Sequence, residues 1–131
     1  MAVTIDALLH DLVSRDASDL HLKAGEPPMM RVRGALRRAD YPAMDGEQLH
    51  DMLWGMLTPE RQERLSSFRE LDMSYHVPGL ARFRVNMFRD KGGVGAVLRV
   101  IPAKILSFEQ LNLPAVCQKL CENPKGLVLV T

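Results

Sequence analysis

Hydrophobic residues recur at helical spacing in two places within the first 60 residues, and a helix-start signal marks a third helix after them. Asp45 with Gln48 resembles a capping box and predicts the start of one helix. Thr58-Pro59-Glu60 predicts the start of another, with proline and an acid in its first turn. An earlier amphipathic helix is predicted over 4–15, with Thr4 as its N-cap. Its apolar positions follow the i, i+3, i+4, i+7, i+8 pattern: Ile5, Leu8, Leu9, Leu12 and Val13.

Alternating apolar and polar residues predict six strands outside these helices. Asp16-Ala17-Ser18-Asp19 is expected to break the first helix before the first strand. Gly34, Pro78-Gly79 and Asp90–Gly93 predict tight turns between neighbouring strands. The predicted strands are 20–23, 29–32, 36–39, 71–77, 82–89 and 94–101.

The order of these elements, α-β-β-β-α-α-β-β-β, predicts an α+β fold. We expect a mostly antiparallel sheet of five or six strands with helices packed on one side. This arrangement resembles a PAS-like domain more than a doubly wound sheet. Ser107 with Gln110, and then Pro114, predict two further short helices.

The last six residues, Gly126 to Thr131, form an apolar run typical of a strand that is covered on both faces. Such a strand needs neighbours that the preceding sequence does not supply. We therefore expect residues 1–131 to be the front part of a longer protein whose second domain starts here. Asn123-Pro124-Lys125 predicts a short hinge before that strand.

Composition and charge narrow the class of protein. The chain has 131 residues, 47% of them hydrophobic, and no apolar run approaches the roughly 18 residues of a membrane helix. Cys117 and Cys121 lie four residues apart, which favours two buried thiols in a reducing, cytoplasmic setting over a disulfide. The net charge is only +1, yet basic residues concentrate in 31–38 and 82–104. This distribution indicates a local anionic partner rather than general affinity for nucleic acid.

The predicted hairpin of 82–89 and 94–101 carries the main candidate chemistry. A turn centred on Lys91-Gly92 places Arg84 directly opposite Arg99, and opposed residues of an antiparallel pair share a face. Two opposed cations repel unless an anion lies between them, and guanidinium groups suit phosphate oxygens. The hypothesis is a phosphate clamp of two arginines. The alternative is a solvated face whose arginines pair with acids from the 60–72 region.

Other motifs give weaker signals. The glycine-rich segment 92–95 lacks the Lys-Ser/Thr and the following helix of a Walker A loop, so it predicts a hairpin turn. The four histidines and two cysteines show no metal-ligand spacing. Ser18, Asp19 and His21 are close in sequence, but no Gly-x-Ser-x-Gly elbow accompanies them, which excludes a hydrolase triad of that type.

Several motifs in a fixed order together resemble the secretion ATPase superfamily, and within it the PilT family of type IV pilus retraction ATPases rather than the paralogous PilU. The resemblance covers nearly the whole chain. The segments that carry it are Ser18-Asp19-Leu20-His21-Leu22, Pro27-Pro28, Arg31-Val32-Arg33-Gly34, Glu70-Leu71-Asp72, Arg82-Phe83-Arg84-Val85-Asn86, 97–102, Leu111-Asn112-Leu113-Pro114 and 126–131.

The resemblance implies a PAS-like N-terminal domain over 1–122 and a hinge over 123–126. Residues 127–131 would then be the first strand of a RecA-like ATPase domain, severed before its Walker A loop. The parent protein would be a cytoplasmic homo-hexamer that hydrolyses ATP with Mg to retract pili in twitching motility. It would act at the cytoplasmic face of the inner membrane, on a pilus platform protein, without binding nucleic acid.

The resemblance also implies roles for three arginines. Arg84 and Arg99 fall on family positions that reach the ATP phosphates when the two domains close, and Arg82 is an additional candidate. The catalytic residues and the magnesium ligands would lie in the second domain, so 1–131 alone is expected to be inactive. The chain departs from many relatives at Asp90-Lys91, which affects any contact of that turn but not the strand arginines.

Two other functions fit the sequence without the resemblance. A stand-alone PAS-like sensor or interaction module would need a ligand pocket inside the sheet, and the bulky Phe83, Met87 and Leu98 argue for a filled one. A basic nucleic-acid-binding module would bind in a strongly salt-dependent way. Only 5% of the residues are aromatic, which gives little support for base stacking.

Overall fold

The computed structural model describes residues 3–131, which contain an antiparallel sheet of six strands and four helices. The strands lie in the order β3-β2-β1-β6-β5-β4. This confirms the predicted α+β fold class. In chain order the elements are α1 Ile5–Ser14, β1 Ala17–Leu22, β2 Met29–Val32, β3 Ala35–Arg38, α2 Gly46–Trp54, α3 Pro59–Phe68, β4 Glu70–Val77, β5 Ala81–Asp90, β6 Gly93–Ile101 and α4 Ala115–Cys121.

The first three helices begin where the sequence predicts. Thr4 accepts a hydrogen bond from the Ala7 amide at the start of α1. Asp45 and Gln48 exchange both hydrogen bonds of a capping box at the start of α2, at 2.8 and 3.1 Å. At α3, Thr58 is the N-cap and proline occupies the first helical turn. These caps satisfy amide groups that the helix itself leaves without partners.

The hydrophobic core lies on one face of the sheet, under α1, α2 and α3. Alternation along β5 places Phe83, Val85 and Met87 on this face, and all three are fully buried. Leu20 of β1 and Leu98 of β6 pair directly and belong to the same core. The core face of β1, β5 and β6 is therefore filled by large side chains.

The opposite face of the sheet, which we call the open face, carries polar residues. Because side chains alternate along a strand, the residues between the core positions of β5 and β6 project here. Arg82 and Arg84 of β5 and Arg99 of β6 lie on this face. Asp19 and His21 of β1 share it, because they pair with Arg99 and Val97.

Two segments differ from the expectation. Residues 17–19 belong to β1 rather than to a helix-breaking loop. Arg15 and Asp16 turn the chain, Asp16 with a φ of 52°, and a β-bulge follows between Ala17 and Asp19. The predicted helix at Ser107 is a turn. Ser107 and Gln110 do exchange capping hydrogen bonds, but Asn112 takes a left-handed conformation with a φ of 53° and ends the segment.

The segment after β6 makes little contact with the core. Helix α4 has no buried residue, Cys117 is half-buried and Cys121 is exposed, so the prediction of two buried thiols is wrong. No element among residues 3–131 covers this helix. Residues 127–131 are exposed and form no strand here. Their assignment to a second domain, and the boundaries at 122 and 126, stay predictions. No helix of the described part is long and apolar enough to cross a membrane.

Candidate phosphate-binding site

One row of directly paired residues crosses the open face over five strands. Arg31 of β2 pairs with Asp19 of β1, and Asp19 pairs with Arg99 of β6. Arg99 pairs with Arg84 of β5, which in turn pairs with Ser74 of β4. The register confirms the predicted opposition of Arg84 and Arg99. Three arginines and one carboxylate stand in this row, so the row as a whole carries a net positive charge.

Arg84 and Arg99 line the same shallow pocket of about 200 Å³, together with Asp72, Asn86 and Val97. Arg82 lies on the same face but pairs with His76 and Ile101 and lines a different pocket. The structure therefore brings two of the three candidate arginines together and leaves Arg82 outside their pocket. Binding pockets for whole small molecules are typically about 300–1,000 Å³, so this one has room for a phosphate group but not for a nucleotide.

Arg84 is held only loosely. Its Nε lies 3.7 Å from Oδ1 of Asp72, and the two side chains are 70% and 57% exposed. An exposed ion pair of this kind contributes about 0–1 kcal/mol, because water screens it and both side chains lose freedom. The alternative that an acid of the 60–72 region pairs with these arginines is thus correct for Arg84. The pair is weak enough for an anion to replace it.

Arg99 is held firmly. Its Nε donates a hydrogen bond of 2.7 Å to Oδ1 of Asp19, whose side chain is only 4% exposed. Ser18 Oγ donates to Oδ2 of the same carboxylate at 2.7 Å, and Arg31 Nε lies 3.6 Å from that oxygen. Burial by itself would raise the pKa of Asp19. The hydrogen bonds from Ser18 and Arg99 and the charge of Arg99 outweigh it, so the pKa is lowered and the carboxylate stays ionised.

The sequence patterns did not identify Asp19 as a partner of these arginines. They placed Asp19 in the segment expected to break the first helix and in a Ser-Asp-His grouping that lacks a hydrolase elbow. The contact between Asp19 and Arg99 joins residues 80 positions apart through the β1–β6 pairing, which local patterns do not reveal. The predicted strand 20–23 left Asp19 outside it. With β1 extended to Ala17–Leu22, an acidic residue inside a strand would have been the signal, because an unpaired charge there is costly.

Other groups on this face do not form a catalytic or metal site. His21 has its Nε2 atom buried without a hydrogen-bond partner among residues 3–131, and burial lowers its pKa. Within that range, no group of three or more His, Cys, Asp or Glu side chains could hold a metal ion. The segment 92–95 forms the β5–β6 turn and the start of β6, as predicted. The candidate that remains on this face is the pair of opposed arginines, Arg84 and Arg99.

Comparison with known proteins shows what the whole chain is similar to. No family model matches the chain. The chain is 43% identical over 127 residues to the type IV pilus retraction ATPase PilT of Pseudomonas aeruginosa, which covers 97% of this chain and 37% of that protein. It is 32% identical to the type IV pilus ATPase PilU of the same organism, over 95% of this chain and 32% of that protein. The chain thus spans about a third of the length of these relatives.

The fold agrees with the sequence comparison. A crystal structure of the pilus retraction motor PilT with bound ADP superposes with a TM-score of 0.80 at 32% identity. The superposition covers 92% of this chain and 36% of the solved one. By sequence and by fold, this chain matches the N-terminal domain of the PilT family.

Proposed function

We propose that this chain is the N-terminal domain of a hexameric ATP-driven motor that retracts type IV pili in twitching motility. In this proposal Arg84 and Arg99 bind the ATP phosphates at the border with a RecA-like ATPase domain. The observation that carries it is their direct opposition in one shallow pocket, in a chain 43% identical to a retraction ATPase. Arg82 is a weaker member of the set, because it lies outside that pocket.

The size and charge of the pocket support its assignment as one half of a binding site between two domains. Two opposed guanidinium groups repel each other at rest, and a phosphate placed between them removes the repulsion. About 200 Å³ is too small for a nucleotide, so the remaining contacts to ATP must come from another domain. A clamp of this kind binds ATP only when the two domains are closed. ATP binding and domain position are then linked equilibria.

In this proposal, ATP hydrolysis takes place in the second domain. The sequence contains no Gly-x-x-x-x-Gly-Lys-Ser/Thr loop, and the described part holds no acidic cluster for Mg. The P-loop, the magnesium ligands and the general base belong to the proposed second domain. When the γ-phosphate leaves, Arg84 and Arg99 lose their shared partner. The N-terminal domain can then move relative to the ATPase domain, which is the mechanical step.

The proposal extends to assembly and location. The motor acts as a homo-hexamer at the cytoplasmic face of the inner membrane, on the platform protein at the pilus base. It has no role for nucleic acid. The alternative of a stand-alone PAS-like sensor receives no support from the sheet interior, where Phe83, Met87 and Leu98 are fully buried.

A binding experiment on the 131-residue chain tests the clamp directly. Inorganic tripolyphosphate is titrated into the wild-type chain and into Arg84→Ala/Arg99→Ala, with chemical shifts followed by NMR. At about 4 Å a unit charge contributes roughly 1 kcal/mol in a water-like environment, so each arginine should account for about fivefold in Kd. Arg37→Ala is the matched control, since Arg37 is exposed and pairs with the core-facing Met30, which places it on the other face.

We expect weak binding by the wild-type chain, a Kd raised more than tenfold in the double variant, and little change in the control. Equal affinity in all three proteins would contradict the proposed clamp. The wild-type chain should show no ATP turnover. Measurable hydrolysis by the pure chain would contradict the assignment of catalysis to a second domain.

A further inference from the structure

Asp19 is the one charged residue among residues 3–131 that is buried, and it lies on the open face directly beside Arg99. Its carboxylate lies between Arg31 and Arg99 in the row that crosses the open face. Only 3% of the residue is exposed, whereas the side chain of Arg99 is 68% exposed. The protein thus keeps a buried anion beneath an arginine that reaches into solvent. A buried charge is costly, so a structure that retains one needs compensating contacts.

The geometry of the Asp19–Arg99 contact leaves the outer part of the guanidinium available. The hydrogen bond of 2.7 Å uses Nε of Arg99. No hydrogen bond from its Nη1 or Nη2 to another of residues 3–131 accompanies this contact. Nε faces the carboxylate, and the two Nη groups carry four further N–H donors. A carboxylate at Nε and a phosphate at the Nη groups can therefore bind the same guanidinium at once.

We propose that Asp19 is a positioning residue for the phosphate clamp: it fixes Arg99 through Nε and so presents the Nη groups to an anion in the pocket. This inference rests on the proposed function of Arg84 and Arg99. It assigns different parts to the two arginines. Asp19 holds the Arg99 side chain in place before the anion binds. The Arg84 side chain, whose Nε lies 3.7 Å from Asp72, moves onto the anion when it binds. Fixing one donor in advance lowers the entropy lost when the anion binds.

A double-mutant cycle isolates this role from the simple charge of Asp19. Arg99→Gln is introduced into the wild-type chain and into Asp19→Leu, and the Kd for tripolyphosphate is measured for all four proteins. Removing Asp19 also removes a negative charge near the pocket, which by itself favours anion binding. That effect is common to both Asp19→Leu proteins and cancels in the cycle.

We expect Arg99→Gln to weaken tripolyphosphate binding about fivefold in the wild-type background and less than about twofold in the Asp19→Leu background. Arg31→Gln is the matched control. It removes the other cation at Asp19 but leaves the Nε contact, so in this background Arg99→Gln should again cost about fivefold. An equal loss in the wild-type and Asp19→Leu backgrounds would overturn the positioning role alone. No loss in the wild-type background would overturn the proposed clamp and the positioning role together.

A measurement on the wild-type chain tests the positioning role of Asp19 even if Asp19→Leu does not fold. The ¹⁵N heteronuclear NOE of the arginine Nε–H groups reports side-chain order on the picosecond to nanosecond timescale. Arg99 should show a value near that of the sheet backbone, and Arg84 a clearly lower one. Tripolyphosphate should raise the value of Arg84 and leave that of Arg99 unchanged. Equal mobility of the two side chains in the free chain would overturn the inference.

Discussion

Gly95 lies on the open face, where an added methyl group would come too close to neighbouring atoms. A Cβ at this position would lie 2.7 and 2.8 Å from Cε2 and Cζ of Phe88 and 3.0 Å from the backbone oxygen of Leu22. Carbon atoms prefer separations of about 3.5–4.0 Å, so all three approaches are too close. The Phe88 ring, on the strand opposite, can turn away. The Leu22 oxygen belongs to β1, which is paired with β6, and cannot move without disturbing the sheet.

We therefore expect Gly95→Ala to destabilise the chain by about 1–2 kcal/mol. Overpacking of this kind costs about 1–3 kcal/mol, and replacing a strand glycine by alanine returns about 0.5–1 kcal/mol of backbone entropy. Urea unfolding followed by circular dichroism measures the difference. Gly46→Ala is the matched control, since a Cβ there meets only ordinary contacts at 3.6 and 3.9 Å. The control should be neutral or slightly stabilising.

The double variant Gly95→Ala/Phe88→Ala separates the two contacts. In the Phe88→Ala background the cost of Gly95→Ala should fall, because only the approach to the Leu22 oxygen remains. If Gly95→Ala is as stable as the wild-type chain, that result contradicts the close contact between Phe88 and Gly95. If Gly95→Ala lowers the free energy of unfolding by the same amount with and without Phe88, the Phe88 ring is not the group that the added methyl meets.

Three further predictions concern the caps and the charged row. Asp45→Ala should cost about 0.5–2 kcal/mol in urea unfolding, because it removes the capping box of α2, and an unchanged midpoint would refute that. The lowered pKa of Asp19 means that its contribution to stability is present above its unperturbed pKa of 3.8 and is lost as the pH falls below it. Asp19→Asn should therefore lose less stability than the wild-type chain on acidification through that range, and parallel pH profiles would contradict the assignment. Arg84→Ala should change stability by no more than about 0.5 kcal/mol, because its ion pair with Asp72 is exposed, and a larger loss would show a structural role.

Local signals were sufficient for most of the fold. The caps at Thr4, Asp45 and Thr58 are contained in three or four consecutive residues, and all three form. The register of the β5–β6 hairpin follows from its short turn, so the opposition of Arg84 and Arg99 could be read from numbering alone. The predictions failed where a local pattern had no tertiary support, as at the Ser107 turn and the exposed cysteines.

The partner of Arg99 could not be predicted in the same way. Asp19 reaches Arg99 because β1 inserts between β2 and β6, and nothing in residues 17–22 specifies that neighbour. The separation of Arg82 from the pocket is likewise a result of the sheet, since Arg82 pairs with His76 and Ile101 at the end of the hairpin away from the turn. Long-range strand pairing, which local propensity does not encode, decides which charges meet.

The central proposal is that Arg99 contacts the ATP phosphates in a motor that contains this domain. The most direct test compares ATP turnover by the proposed full-length motor between wild type, Arg99→Ala and the distant control Arg37→Ala. A charge-assisted hydrogen bond contributes about 1.5–3 kcal/mol, so Arg99→Ala should slow turnover about tenfold or more while size-exclusion chromatography still shows the assembled hexamer. The Arg37→Ala control should keep its activity. Wild-type turnover by an assembled Arg99→Ala motor would contradict the account.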